Sequence, residues 1–304
     1  MAPVASPVSV VYGAATSVNG AQPVSVACTP VSGATFPIGS TTVTCIATDN
    51  LQRTDSCTFT VTVAAPPKIS ATSYVAFGDS MTAGEVVSEG SGHFRTLRVD
   101  PDKAYPTLLH RDLAAVYATQ AQSITVDNQG LPDETAVNGA SRLSAVLARG
   151  NYQVLTLMEG ANDLANRDSV TAQRALVAIQ SMVHDAKNRG VRVFLATLPP
   201  ENAGACCPQR GLAAPLVPPF NDGLRGIANS EGVPLVDVYQ AFNGDNTTLI
   251  DFDGLHPTPA GYQVIADTFF KLIKQELQVM AGSPASMMRS PFGQAPVFVR
   301  PRRR

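Results

Sequence analysis

The pattern of hydrophobic and polar positions divides the chain near residue 66. Before that point, apolar side chains alternate with serine or threonine in three short stretches, 24–28, 42–48 and 57–63. A period of two is typical of half-buried strands. Turn-forming residues such as Ser32-Gly33 separate the stretches, and turns of this kind punctuate antiparallel sheets. The pattern therefore predicts a small all-β sandwich as the first domain.

Beyond the linker Ala64-Ala65-Pro66-Pro67 the pattern changes to an alternation of strands and helices. The predicted strands are 73–77, 124–127, 154–158, 191–198 and 234–238, and the predicted helices are 105–117, 135–148, 169–188, 220–230 and 259–277. Such an alternation indicates an α/β fold in which helices cover both faces of a parallel sheet. We therefore expect a β-domain at 1–66, an α/β domain at 67–280 and a disordered basic tail at 281–304.

Composition excludes several classes of protein. The 304 residues carry a net charge of −2 and only 15% of them are charged, against about a quarter in typical proteins. This balance argues against a nucleic-acid partner, which requires a basic surface. A hydrophobic content of 44% supports a sizeable core, and the longest apolar runs are too short to span a membrane. Residues 1–13 do not have the pattern of a signal peptide.

Chemically useful side chains follow the predicted parallel strands. Gly78-Asp79-Ser80 follows the first strand, Gly130 the second and Asn162 the third, while Asp253 and His256 share a loop before the last helix. Ligands of parallel sheets bind beyond the carboxyl ends of the strands. Each feature alone has a purely structural explanation. Asparagine, for example, often caps helices, so Asn162 is compatible with that role as well. Together they supply a nucleophile, a base with its orienting acid, and hydrogen-bond donors for an oxyanion, which acyl transfer requires.

These motifs resemble the SGNH hydrolase (GDSL esterase/lipase) family over about residues 70–278. The resemblance implies a flavodoxin-like three-layer sandwich with a five-stranded parallel sheet. It also implies that Ser80 attacks the ester, that His256 acts as base, and that Asp253 orients the imidazole. The oxyanion hole would be formed by Ser80, Gly130 and Asn162, without a metal or an organic cofactor. The Gly-x-Ser-x-Gly turn of α/β-hydrolases does not fit, because Thr82 occupies the place of its last glycine.

The first domain carries a second resemblance. The run from Cys28 through Phe36-Pro37-Ile38-Gly39 to Cys45, with Cys57 and its following Thr-Phe-Thr-Val-Thr-Val, is similar to a hyalin-repeat (HYR) module over residues 4–64. Such modules are extracellular and immunoglobulin-like. Alternation places all three cysteines on inward faces, so one disulfide and one thiol, or three reduced cysteines, are both compatible with the sequence. Adjacent Cys206-Cys207 can pair with each other, pair elsewhere or stay free.

The combined interpretation is a secreted, periplasmic or cell-surface serine esterase of bacterial type. Its substrate would be a small-molecule ester, a lipid or an acylated glycan, with polysaccharide O-acetyl esterase as an alternative function. A different hypothesis is a non-catalytic adhesion protein, and in either case a glycan or a protein is a candidate ligand of the first domain. Segments 85–103 and 199–219 are predicted to set substrate preference. The histidines at 93, 110 and 184 are predicted to have no catalytic role.

Overall fold

The computed structural model describes residues 7–89, 95–165, 167–205 and 210–279. In the first domain the strands are β1 (Val8–Ser9), β2 (Ser25–Thr29), β3 (Thr35–Phe36), β4 (Gly39–Thr48) and β5 (Thr54–Val63). Strands β2, β4 and β5 form an antiparallel sheet in that order, and β1 pairs with β3 in a second, smaller sheet. The N-terminal region is thus the predicted all-β module.

A small core lies between these two sheets. Phe36, Val43 and Cys45 are buried there, and a disulfide joins Cys28 to Cys45 across β2 and β4. Cys57 lies directly opposite the buried Cys45 across β4 and β5 and so on the predicted face, but the expectation that it is buried there is wrong, because this cysteine is exposed and free. The physical reason is that β1 and β3 contain only two residues each, which leaves the first part of the edge strand β5 uncovered.

The second domain contains the larger core. Its strands are β6 (Lys68–Ile69), β7 (Ser73–Gly78), β8 (Glu85–Glu89), β9 (Arg95–Val99), β10 (Thr125–Gly130), β11 (Val154–Met158), β12 (Arg192–Ala196), β13 (Leu235–Val236) and β14 (Gln278–Val279). Its helices are α1 (Ser80–Ala83), α2 (Tyr105–Val116), α3 (Ala136–Arg149), α4 (Ala161–Leu164), α5 (Ser169–Asn188), α6 (Val217–Glu231), α7 (Val238–Ala241) and α8 (Pro259–Leu277). Short 3₁₀ helices occupy Ala118–Gln120 and Gly211–Leu216.

The central sheet has the predicted flavodoxin-like topology. Five parallel strands lie in the order β10-β7-β11-β12-β13. The chain leaves β7 for one side of the sheet and returns to its other side, so the order of strands reverses at the carboxyl end of β7. A crevice opens at such a switch point and is the usual ligand site of open α/β sheets. Because β7 is buried from Tyr74 to Gly78, the turn after it is held by a rigid support.

Several predicted elements agree closely with the structure. Helix α8 begins at Pro259 and ends at Leu277 as predicted, and Thr258 caps it by accepting a hydrogen bond from the Gly261 N–H. Within the segment 85–103, which is predicted to set substrate preference, β8 and β9 pair as an antiparallel ribbon. Among the described helices, none combines the length and the apolar character needed to cross a membrane.

Candidate active site

The turn after β7 presents a serine at the switch point of the sheet. Asp79 caps α1 by accepting a hydrogen bond from the Met81 N–H at 3.0 Å, so Ser80 becomes the first residue of that helix. The first N–H groups of a helix have no acceptor within the helix. Gly78 is required before the turn, because a Cβ atom there would lie 1.9 Å from the carbonyl oxygen of Met158. Ser80 itself is only 4% exposed.

A loop before α8 presents the base and its acid. Asp253 and His256 are both fully buried, and Asp253 Oδ1 accepts the backbone N–H groups of Leu255 and His256 at 3.1 and 3.0 Å. Its other oxygen, Oδ2, is thereby turned toward the imidazole. Gly254 has a φ of +85° in this turn, a left-handed conformation that favours glycine.

The serine, histidine and aspartate form one hydrogen-bonded chain. Ser80 Oγ lies 2.9 Å from His256 Nε2, and His256 Nδ1–H donates to Asp253 Oδ2 at 2.6 Å. The three residues are separated by up to 176 positions in the sequence. The structure therefore brings together the three side chains that the motifs single out.

Glu85 joins this arrangement, and the sequence interpretation missed it. Its Oε2 atom lies 3.1 Å from His256 Nε2, the nitrogen that also faces Ser80. Burial lowers the pKa of His256, but the hydrogen bonds and charges of Asp253 and Glu85 outweigh that effect and raise the pKa to about 9. The only sequence signal was its position directly after the nucleophile block, which ends at Gly84.

Asn162 is held beside the same edge of the sheet. One N–H of its side chain donates to the carbonyl of Glu134 at 2.8 Å, which leaves the second N–H of the amide for another acceptor. Asn162 does not cap a helix, since the cap of α4 is Gly160. The neighbouring Asp163 accepts the N–H of Ala136, the first residue of α3, at 2.8 Å.

Gly130 differs from its predicted role. Its N–H donates to Asn128 Oδ1 at 2.9 Å, so the structure gives this group no free hydrogen for an oxyanion. The glycine is instead required by packing, because a Cβ atom here would lie 2.0 Å from the Ala83 nitrogen. A turn three residues later contains Asp133 with a φ of +62°, and the residue after it is Glu134, whose carbonyl holds Asn162.

Arg142 fastens the loop that contains these groups. Its guanidinium lies 3.9 Å from the centre of the Phe77 ring and donates to the Gln129 carbonyl at 2.9 Å. It also forms an ion pair with the carboxylate of Glu134. Because Arg142 is on α3, this helix fixes the loop between β10 and α3 against β7.

Two buried acids lie behind the nucleophile. Burial raises the pKa of Asp79 to about 6. Burial, together with the negative charge of Asp79, raises the pKa of Glu159 well above its usual range. Neither oxygen of Glu159 has a hydrogen-bond partner among the described residues, which favours the neutral acid.

A small cavity adjoins the candidate site. It measures about 230 Å³ and is lined by Ala161, Asn162, Ala165, Glu201, Arg210, Leu212, Ala213 and Leu255. The Arg210 N–H donates to the Asp253 carbonyl at 2.6 Å, and the Asn202 N–H donates to the Gly254 carbonyl at 2.8 Å. The loop after β12 is thus tied to the loop of Asp253 and His256. Burial raises the pKa of Glu201 in this wall to about 7.

The remaining candidates lie elsewhere. His110, on α2, contacts the Ile124 carbonyl through Nε2 at 3.1 Å. His184 is exposed on α5 and lies 3.9 Å from Glu231. His93 and the pair Cys206-Cys207 lie outside the described residues.

Comparison with known proteins agrees with this fold. The family model of GDSL-like lipases and acylhydrolases matches residues 76–264, and the HYR domain model matches residues 3–63. No curated protein sequence is similar enough to count as a match.

Solved structures share the architecture of the second domain. A lipase/acylhydrolase from Enterococcus faecalis is 24% identical, with a TM-score of 0.55 over 68% of this chain and 97% of its own. The aryl esterase of M. smegmatis is 21% identical, with a TM-score of 0.55 over 67% of this chain and 99% of the esterase. A variant of an acetyl xylan esterase from Geobacillus stearothermophilus is 21% identical, with a TM-score of 0.52 over 67% of this chain and 96% of the esterase.

The second domain is therefore an ester hydrolase of the SGNH type. The chain belongs to the GDSL-like lipase/acylhydrolase family, whose model covers more than half of its length. An HYR domain precedes the hydrolase.

Proposed function

We propose that the protein hydrolyses carboxylic esters through an acyl-enzyme on Ser80. The observation that carries the proposal is the hydrogen-bonded chain from Ser80 Oγ to His256 Nε2 and from His256 Nδ1 to Asp253 Oδ2. A serine activated by an imidazole that a carboxylate orients is the arrangement that nucleophilic acyl transfer needs.

The proposed acylation uses these atoms as follows. Ser80 Oγ attacks the carbonyl carbon of the ester while His256 Nε2 takes the hydroxyl proton. Asp253 keeps Nδ1 protonated and stabilises the positive charge that develops on the ring. The tetrahedral intermediate then breaks its carbon–oxygen bond to the alcohol, which leaves with the proton from Nε2. Water attacks the acyl-enzyme by the same route and releases the carboxylic acid and free Ser80.

The negative oxygen of the intermediate needs fixed donors. The Ser80 N–H, at the start of α1, and the second N–H of the Asn162 amide are our candidates, and donors of this kind supply a large part of catalysis. Gly130 would contribute only if its N–H left Asn128. We therefore favour as a third donor the backbone N–H of Asp133, which lies in the turn of positive φ before Glu134. The Asp133 side chain lies 3.9 Å from Arg210, and Arg210 and Asn162 line the same cavity, so this turn lies close to Asn162.

A short acyl group is the substrate that the cavity favours. Its volume of about 230 Å³ is below the range of roughly 300–1,000 Å³ that is typical of sites for drug-sized ligands. An acetyl ester is the simplest such substrate. O-Acetyl groups of a polysaccharide are a second candidate, because an acetyl xylan esterase has a similar fold.

The first domain supports an extracellular location. It contains the disulfide Cys28–Cys45, and disulfides persist in oxidising compartments but are rare in cytosolic proteins. We propose that the protein acts in a secreted, periplasmic or cell-surface setting. The HYR domain would then serve as an accessory module that binds a glycan or a protein.

A series of p-nitrophenyl esters tests this function. The full-length protein is expected to hydrolyse the acetate and the butyrate faster than the octanoate, whose long acyl chain fits a cavity of about 230 Å³ least well. Ser80→Ala should abolish turnover without changing the circular dichroism spectrum. Release of acetate from acetylated xylan, measured beside the series, tests the second candidate. A folded protein that hydrolyses no ester would favour the non-catalytic binding hypothesis.

A further inference from the structure

Two acceptors face one nitrogen in the candidate site. Ser80 Oγ lies 2.9 Å and Glu85 Oε2 3.1 Å from His256 Nε2, while Asp253 binds Nδ1 at 2.6 Å. If Nδ1 carried the only proton of the ring, the Nε2 lone pair would face a carboxylate oxygen and repel it. A proton on Nε2 removes this repulsion and serves both neighbouring oxygens. The arrangement is therefore that of an imidazolium held between two carboxylates.

The backbone places Glu85 firmly in this position. The Gly84 N–H donates to the Ser80 carbonyl at 3.0 Å, and the Gly84 carbonyl accepts the N–H of Asp100 at 2.9 Å. The hydroxyl of Tyr262, a fully buried residue of α8, donates to the Glu85 carbonyl at 2.6 Å. Three hydrogen bonds from separate segments thus fix the start of β8, and the Glu85 side chain is only 15% exposed.

Other titratable groups around His256 do not contact its catalytic nitrogen. They are Asp251 and Asp253 on its own loop, Asp79 before α1, Glu201 after β12 and Tyr262 on α8. Asp253 contacts the ring at Nδ1, whereas Glu85 contacts Nε2, which has to lose its proton before the reaction starts.

We propose that Glu85 is a positioning residue that holds His256 protonated in the resting enzyme and so moves the active range to alkaline pH. This inference rests on the function proposed above, in which His256 must be neutral to accept the proton of Ser80. An opposite charge this close typically shifts a pKa by about 1–3 units. Without Glu85, the base would become neutral at a lower pH.

The pH dependence of kcat/KM for p-nitrophenyl acetate tests the proposal. The wild-type rate should rise with pH around a midpoint near 9, the raised pKa of His256. Glu85→Gln should move that midpoint down by about 1–3 units. Each pH unit by which the midpoint falls raises the neutral fraction of His256 at pH 7 by about tenfold, as long as the midpoint stays above pH 7. Glu276→Gln removes an exposed carboxylate of α8 and should leave the midpoint unchanged.

A second measurement does not depend on activity. Histidine proton resonances are titrated by NMR in Ser80→Ala with and without Glu85→Gln, and His256→Gln identifies the signal. A lower midpoint in the Glu85→Gln protein supports the proposal even if the wild type hydrolyses no ester, which would refute only the esterase function. An unchanged midpoint overturns the proposal, whether or not the enzyme is active. Glu85→Ala serves as a second variant if Glu85→Gln does not fold.

Discussion

The stability of Glu159→Gln relative to the wild type is expected to increase as the pH rises. Glu159 is 1% exposed, and among the described residues both of its carboxyl oxygens lack a hydrogen-bond partner. Burial and the charge of Asp79 therefore raise the pKa of Glu159 in the folded state well above its usual value of 4.5. Above pH 4.5 the unfolded chain loses this proton while the native state keeps it.

The sign and size follow from proton linkage. A native state that binds more protons than the unfolded state loses stability as the pH rises, by about 1.4 kcal/mol per pH unit for one group. For Glu159 this loss begins near pH 4.5 and continues up to the raised pKa. Glutamine has nearly the same shape as glutamic acid but carries no ionisable proton. The difference in free energy of unfolding between Glu159→Gln and wild type should therefore grow by about 1.4 kcal/mol per unit over that range.

Urea unfolding at pH 5, 6, 7 and 8 measures this difference. Circular dichroism at 222 nm is suitable because the chain has no tryptophan and every described helix lies in the hydrolase domain. Unpaired amide hydrogens of the glutamine add a cost of about 1–3 kcal/mol, which is the same at each pH. Glu276→Gln provides the matched control at an exposed site. Equal differences at all four pH values would refute the reasoning.

Three further predictions concern the hydrogen bonds of the site and the disulfide. Asp253→Asn should lower kcat for p-nitrophenyl acetate by about 10³–10⁴-fold, because the amide no longer holds the reactive form of His256; a loss below tenfold would contradict this role. Asn162→Ala should lower kcat by about 10²–10³-fold with little change in KM, as removal of one oxyanion donor does. A purely structural role would change stability and KM instead. Cys28→Ser should destabilise the first domain by about 3 kcal/mol, since the disulfide closes a separation of 17 residues. Calorimetry should show its transition at lower temperature with the hydrolase transition unchanged, and a shift of both transitions would contradict independent unfolding.

The hydrolase fold was predictable because its pattern is local. Buried strands such as β11 appear in the sequence as short apolar runs, and α8 carries its own start signal in Thr258 and Pro259. The position of Ser80 follows once the end of β7 is known, since parallel strands bring their carboxyl ends to one edge.

The rest depended on contacts that no local pattern encodes. The place of Glu85 is fixed by Tyr262, which is 177 positions away in the sequence. The Gly130 hydrogen bond is local by contrast, because its acceptor, the Asn128 side chain, lies only two residues earlier, a common asparagine turn that the sequence interpretation did not use. Cys57 follows the alternation of β5, yet its exposure depends on how little chain covers that edge.

Covalent trapping of the nucleophile tests the central claim most directly. The full-length protein is incubated with diethyl p-nitrophenyl phosphate, which phosphorylates activated serines, and the modified peptide is identified by mass spectrometry. We expect one diethylphosphoryl group on Ser80, loss of esterase activity in step with its appearance, and neither labelling nor turnover in Ser80→Ala. Labelling of a different residue, or ester hydrolysis that persists in Ser80→Ala, would contradict the assignment of Ser80 as the nucleophile.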